Sequence, residues 1–173
     1  MNLWYVPLAA IIGLLMTFIL GKHIHKMSPG SKAMQEISKA IQKGALAFLK
    51  REYRVLVIFG IIVAAALWIF ISWQTALCFV CGAILSAIAG FVGMRTATKA
   101  NARTTQAARK NLNSALRVAF SSGAVMGFSV VSLGLLGITI LYFIFRDPNM
   151  IVGFGFGASS IALFARVGGG IYT

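Results

Sequence analysis

Long apolar runs separated by short polar stretches constrain this chain more than any other feature. A helix needs about 20 mostly apolar residues to cross a bilayer. Five runs meet or approach that length, at residues 3–20, 55–71, 75–94, 119–145 and 150–173. Only 11% of the residues are charged, whereas a soluble domain carries about 25%. The sequence therefore predicts an all-α polytopic membrane protein with about five transmembrane helices.

The basic residues are distributed unevenly between the polar stretches. Lys and Arg number eight in residues 22–54 and six in 95–117, but none in 72–74 and one in 146–149. Loops rich in Lys and Arg stay in the cytoplasm. We therefore expect a multi-pass protein of the cell (inner) membrane, with its N-terminus outside and segments 22–54 and 95–117 in the cytoplasm.

The net charge of +13 also bears on partners. Basic segments beside membrane helices attract anionic lipids, so membrane lipids are expected partners. A nucleic-acid-binding surface would need these charges on one soluble face, and the apolar helices separate them. We therefore expect no nucleic-acid partner.

Local signals predict several boundaries and contacts. Ser28 followed by proline is typical of a helix N-cap and begins an amphipathic cytoplasmic helix that leads into the second span. A turn is expected at 111–113, and the fifth helix is expected to begin at Met150. The four-residue spacing of Gly82, Ser86 and Gly90 predicts close contact with another helix.

Two motifs could indicate metal or redox chemistry, and each has a simpler explanation. Cys78 and Cys81 form a C-x-x-C, but both lie in an apolar helix, where a thiol usually acts as a small packing residue. His23 and His25 are two residues apart and do not share a helix face, so solvated side chains at the headgroup level are favoured over metal ligands. We predict no metal site in this chain.

The residues that catalysis requires are scarce. Glu36, Glu52 and Asp147 are the only acids, too few and too scattered for paired carboxylates or a Mg²⁺ site. The glycines at 168–170 are not followed by the Lys and Ser/Thr of a phosphate-binding loop. This chain is not expected to be a complete enzyme, and we predict no catalytic residue in it.

Arg166 lies deep in the last apolar run, among glycine, alanine and serine residues. Charges within a membrane are costly and usually functional, with a partner nearby. However, Arg166 lies about 24 Å along the helix from Met150, near enough to the inner surface for its side chain to reach the headgroups. A buried functional ion pair and a snorkelling side chain both remain open from these residues alone.

Several longer motifs resemble those of the membrane-bound, ion-pumping pyrophosphatases. The most specific is FGFGASSIALFARVGGGIYT, which ends the chain and is similar to the fifth transmembrane helix of that family. The others are IQKGA at 41–45, AFLKREY at 47–53, SAIAGFVGMR at 86–95, ANART at 100–104 and VAFSSGAVMG at 118–127.

The resemblance implies a bundle of about sixteen helices per subunit in two concentric rings, assembled as a homodimer. It implies hydrolysis of pyrophosphate with Mg²⁺ on the cytoplasmic side, coupled to outward transport of Na⁺ or H⁺. The amino-acid sequence of the last motif resembles the K⁺-stimulated branch of the family more closely, and members of that branch often pump Na⁺.

The resemblance also implies that this chain is an N-terminal fragment. It would hold four outer-ring helices and most of the first inner-ring helix, and would end at Thr173, one residue before the first substrate-binding motif. Such a fragment is expected to be inactive alone. Arg166 matches the family's arginine between the hydrolytic site and the ion gate, where an aspartate of the next inner-ring helix pairs with it. The alternative is a stand-alone five-helix membrane or lipid-interaction protein without catalysis.

Overall fold

All regular secondary structure in the part of the chain that the structure describes is helical. The computed structural model describes residues 4–172, and the side chains at 150 and 167–172 lie outside the described set, as does Thr173. No strand occurs between residues 4 and 172. The helices are α1 (Tyr5–Lys26), α2 (Lys32–Phe70), α3 (Trp73–Ala108), α4 (Leu112–Phe145) and α5 (Pro148–Tyr172). The predicted all-α fold is confirmed.

Four of these helices can span a membrane. By length and composition, α1, α2, α3 and α4 each contain a sufficient apolar stretch, whereas the described apolar part of α5, Ile151–Arg166, is shorter. Large apolar side chains are exposed along α1 and α2, including Phe18, Ile61 and Ile62. Surfaces of this kind suit lipid or further helices. The prediction of a polytopic membrane protein that forms part of a larger bundle is therefore confirmed.

Helix α3 lies at the centre of the bundle. It packs against α2, α4 and α5, whereas α1 packs mainly on α4. One buried cluster joins α1, α3 and α4, and a second joins α3, α4 and α5. Their members are Ile24, Ala100 and Val125 in the first and Cys78, Leu141 and Phe154 in the second.

The prediction that Ser28 is the N-cap of α2 is wrong. Ser31 caps the helix instead, and its Oγ accepts a hydrogen bond from the backbone N–H of Met34 at 3.4 Å. Ser28 belongs to the preceding turn, in which its Oγ accepts from the N–H of Gly30 at 3.4 Å. Gly30 has φ +81°, a backbone conformation that favours glycine. The chain therefore completes its turn after Pro29, and the helix begins later than the Ser-Pro pair indicated.

The next two turns are short because polar side chains cap the helices that follow. The Oγ of Ser72 accepts from the N–H of Thr75 at 3.1 Å, so α3 begins directly after Ser72. The Oδ1 of Asn111 accepts from the N–H of Ser114 at 2.8 Å and begins α4. The turn before α4 thus occupies 109–111, slightly earlier than the predicted 111–113.

Helix α5 also begins earlier than predicted, at Pro148 rather than Met150. The carboxylate Oδ1 of Asp147 accepts from the backbone N–H of Asn149 at 2.9 Å. Proline is favoured in the first turn of a helix because it has no N–H to leave unpaired. The polar stretch 146–149 therefore includes the first residues of α5.

The two polar stretches rich in Lys and Arg meet at one end of the bundle. Arg103 on α3 donates from Nη2 to the backbone oxygen of His25 on α1 at 3.4 Å. Ser38 on α2 donates from Oγ to the backbone oxygen of Thr98 on α3 at 3.4 Å. We call this the basic end. It holds the C-terminal ends of α1 and α3 and the N-terminal ends of α2 and α4.

Candidate functional site

Helices α3 and α5 approach so closely that their backbones are in contact. A Cβ added at Gly157 would meet the backbone oxygen of Phe79, and one added at Gly82 would meet the backbone oxygen of Phe154. At Gly153 an added Cβ would lie 2.5 Å from a backbone oxygen of α3. Only glycine fits at these positions. We call this region the α3–α5 contact.

A hydrogen bond extends the α3–α5 contact toward the basic end. Ser86 donates from Oγ to the backbone oxygen of Ala158 at 3.0 Å. Gly82 and Ser86 thus contact another helix, as the spacing predicted, and that helix is α5. Gly90 does not, because its nearest neighbour is the hydroxyl of Tyr53 on α2, 3.6 Å from an added Cβ. Tyr53 in turn donates to the backbone oxygen of Ala87 at 2.6 Å.

Arg166 lies on α5 beyond this contact, toward the basic end. Its side chain is exposed and lines an open cavity of about 610 Å³ between α2, α3, α4 and α5. Within residues 4–166 no acidic side chain forms an ion pair with it. The cavity walls are mostly apolar and include Leu85, Ala162 and Ala165.

Glu52 shares this cavity with Arg166, a proximity that the sequence did not predict. Both carboxylate oxygens of Glu52 are buried and have no hydrogen-bond partner in the described part of the chain. Helix lengths could have indicated the proximity. Glu52 lies 18 residues before the end of α2 at Phe70, and Arg166 lies 18 residues after the start of α5 at Pro148. Each is therefore about 27 Å from the opposite end of the bundle.

A ring contact fixes how α2 and α5 meet near these charges. The rings of Phe59 and Phe164 pack edge to face with centroids 5.0 Å apart. Phe164 is two residues from Arg166, and Phe59 is about two turns from Glu52. Aromatic pairs of this geometry add a modest stabilisation beyond the area that they bury.

The cysteines lie in the packed interior. Cys78 is fully buried in the cluster with Leu141 and Phe154, and Cys81 packs against the same cluster. Both are free thiols. No group of three His, Cys, Asp or Glu side chains within the described residues could hold a metal ion.

The fold and these contacts define a class of protein. Four helices are long and apolar enough to span a membrane, and a fifth contacts α3 through glycines. Together they form an α-helical membrane bundle with an arginine in a cavity between its helices. The exposed apolar faces of α1 and α2 suit contact with lipid or with further helices.

Comparison with known proteins identifies the family. Residues 11–173 match the family model described as inorganic H⁺ pyrophosphatase, and the chain belongs to this family. A protein of Clostridium tetani with the provisional name of K⁺-stimulated pyrophosphate-energized sodium pump is 56% identical over 170 residues, covering 98% of this chain and 25% of its own length.

Two further relatives are named as proton pumps. A K⁺-insensitive pyrophosphate-energized proton pump of Methanosarcina mazei is 43% identical, over 96% of this chain and 25% of its own. K⁺-insensitive pyrophosphate-energized proton pump 2 of Moorella thermoacetica is 45% identical, over 97% and 26%. The chain thus spans about a quarter of the length of the curated relatives that it matches.

Proposed function

We propose that this chain forms part of a pyrophosphate-energised pump that couples hydrolysis of Mg-pyrophosphate to transport of Na⁺ or H⁺. The observation that carries the proposal is the match to named pumps over nearly the whole chain. The helical bundle, with an arginine between its helices, supports it. As part of the proposal, the complete protein is a homodimer and K⁺ is an optional activator.

The proposed direction is outward transport with hydrolysis at the cytoplasmic side of the cell membrane. Its support is the distribution of Lys and Arg, since the two rich segments meet at the basic end and loops of this composition remain in the cytoplasm. The N-terminus, at the opposite end of α1, would then lie outside.

We also propose that this chain supplies scaffold and ion-path residues, and that the ligands for Mg-pyrophosphate belong to the rest of the pump. The support is chemical. Mg²⁺ sites need carboxylates close together, and the chain has three acids, of which Glu52 lies in the cavity and Asp147 caps α5. On this basis the 173 residues alone would be inactive in hydrolysis.

Within the proposed pump, Arg166 is the residue of this chain that acts in coupling. It lies in a cavity between helices, on a helix that cannot shift sideways without separating the α3–α5 contact. A cation held in such a place repels other cations and attracts a carboxylate. Such a group can influence when a transported cation passes. Its acidic partner would come from outside the described residues, or from Glu52 after a change of rotamer.

The test is ion uptake by inside-out membrane vesicles that carry the protein of the complete reading frame. Pyrophosphate is added with Mg²⁺, with and without K⁺, and Na⁺ and H⁺ uptake are followed in parallel. The proposal predicts uptake of one of the two ions that requires pyrophosphate. If pyrophosphate is neither hydrolysed nor able to drive uptake, the proposal is wrong and the stand-alone lipid-interaction protein becomes the better account.

A further inference from the structure

The basic end contains a second cavity, unrelated to Arg166. It has a volume of about 1060 Å³ and lies between the C-terminal ends of α1 and α3 and the N-terminal end of α4. Three basic side chains line it, Arg103, Lys110 and Arg117, together with His23. No acidic side chain is among the described residues that line it. We propose that this cavity binds the phosphate headgroup of an anionic phospholipid in the adjacent leaflet.

The first argument is uncompensated positive charge. Neither the Lys110 side chain nor the Arg117 side chain makes a hydrogen bond or an ion pair within the described residues. The partial positive charge at the N-terminus of α4 lies beside them. Asn111 caps one backbone N–H of that terminus, the N–H of Ser114. Like charges gathered in one cavity repel each other, and an anion relieves that repulsion.

The second argument is a buried donor without a partner. The guanidinium of Arg103 donates from Nη1 to the backbone oxygen of Lys99 at 2.7 Å and from Nη2 to that of His25. Its Nε is buried and has no hydrogen-bond partner in the described part of the chain. Arginine is the preferred residue for phosphate because its planar fork offers several donors at once. An unmatched buried donor costs free energy unless a water or a ligand oxygen meets it.

The third argument selects a lipid over a soluble anion. On α4 the polar row Asn113, Arg117 and Ser121 runs beside an apolar row, Leu116 and Phe120, and all five line the cavity. Phe120 is 74% exposed. Phosphate or pyrophosphate in solution gains no favourable contact from an exposed apolar edge. A phospholipid does, because its acyl chains lie beside its headgroup at this level of a membrane.

The experiment measures lipid binding to the purified complete protein by native mass spectrometry. The probes are dioleoyl phosphatidylglycerol, dioleoyl phosphatidylcholine, inorganic phosphate and pyrophosphate. Each basic side chain near an anionic membrane surface contributes about a fivefold factor in affinity. The double variant Lys110→Gln/Arg117→Gln is therefore expected to bind phosphatidylglycerol about 25-fold more weakly than the wild type. Arg103 is left unchanged because it also holds the end of α1.

The matched control is Lys39→Gln/Lys43→Gln, which removes two exposed lysines of α2 from the same end without touching the cavity. Its binding of phosphatidylglycerol should stay close to that of the wild type. Equal losses in both double variants would mean diffuse surface attraction and would overturn the proposal. So would equal binding of phosphatidylcholine, or displacement of the bound phosphatidylglycerol by inorganic phosphate or pyrophosphate. Loss of binding in the cavity variant alone supports it, and failure of the pump proposal would leave this result unaffected.

Discussion

The two halves of α3 are packed in opposite ways. The half next to α5 is built from small residues, and at Gly82 there is no room for even one further carbon atom. The half at the basic end carries Arg103, which lines an open cavity together with Lys110 in the following turn and Arg117 on α4. The first half can only hold a neighbouring helix at a fixed distance, whereas the second has space and charge for a ligand. We therefore expect substitutions at the α3–α5 contact to reduce thermal stability more than substitutions around the cavity at the basic end.

The largest effect is expected from Gly157→Ala. The new methyl group would overlap the backbone of Phe79, and a backbone cannot rotate away as a side chain can. Overpacking of this kind costs about 1–3 kcal/mol, occasionally more. We expect a clear fall in the thermal unfolding temperature of the complete protein in detergent, and less protein in the membrane.

The control for this variant is Gly155→Ala, two residues away on the same helix. An added Cβ at Gly155 meets nothing within 4 Å, and alanine has the better helix propensity by up to about 1 kcal/mol. The unfolding temperature should stay the same or rise slightly. Similar losses for Gly157→Ala and Gly155→Ala would show that the contact between α3 and α5 is not as close as described.

A smaller loss is expected from Ser86→Ala. This change removes the hydrogen bond from Ser86 Oγ to the backbone oxygen of Ala158 on α5. Hydrogen bonds between membrane helices average about 0.6 kcal/mol and reach about 1.7 kcal/mol. The fall in unfolding temperature should therefore be measurable but less than that of Gly157→Ala.

The control here is Ser160→Ala, because Ser160 donates to Phe156 within its own helix and joins no two helices. It should leave the unfolding temperature nearly unchanged. A loss as large as that of Ser86→Ala would mean that the serine hydroxyl between α3 and α5 has no special role in joining them.

The smallest effect is expected at the basic end. Lys110→Gln/Arg117→Gln changes two exposed side chains that make no hydrogen bond or ion pair within the described residues. Surface substitutions of this kind stay within about 0.5 kcal/mol. The unfolding temperature in detergent without added lipid should match that of the wild type, while the gain from added phosphatidylglycerol is reduced. A large loss without lipid would show that the two cations support the fold itself.

Apolar runs and small residues predicted the features of this fold that are local to a single helix. Run length gave the helical class, and the spacing of Gly82 and Ser86 predicted a close neighbour, because side chains four residues apart share one face of a helix. The spacing could not say which helix would be that neighbour. Gly90 continues the same row, yet it faces Tyr53 on α2.

The remaining features depended on the backbone conformation of neighbouring residues and on contacts between distant parts of the chain. Ser28 has the properties of an N-cap, but the turn that Gly30 completes comes after it, so the neighbouring backbone decided the boundary. Glu52 was counted among scattered acids because residues 52 and 166 are far apart in sequence. Only the packing of α2 and α5 against α3 places both in one cavity. The role of Arg166 remains a prediction.

The most direct test of the proposed role of this chain is the ratio of ions transported to pyrophosphate hydrolysed, measured in the same vesicles with the complete protein. Arg166→Ala is compared with the wild type and with Arg109→Ala, which removes an exposed arginine at the basic end. The account predicts that Arg166→Ala inserts into the membrane normally and transports clearly fewer ions per pyrophosphate, while Arg109→Ala keeps the wild-type ratio. Transport and hydrolysis both at wild-type rates in Arg166→Ala would contradict it.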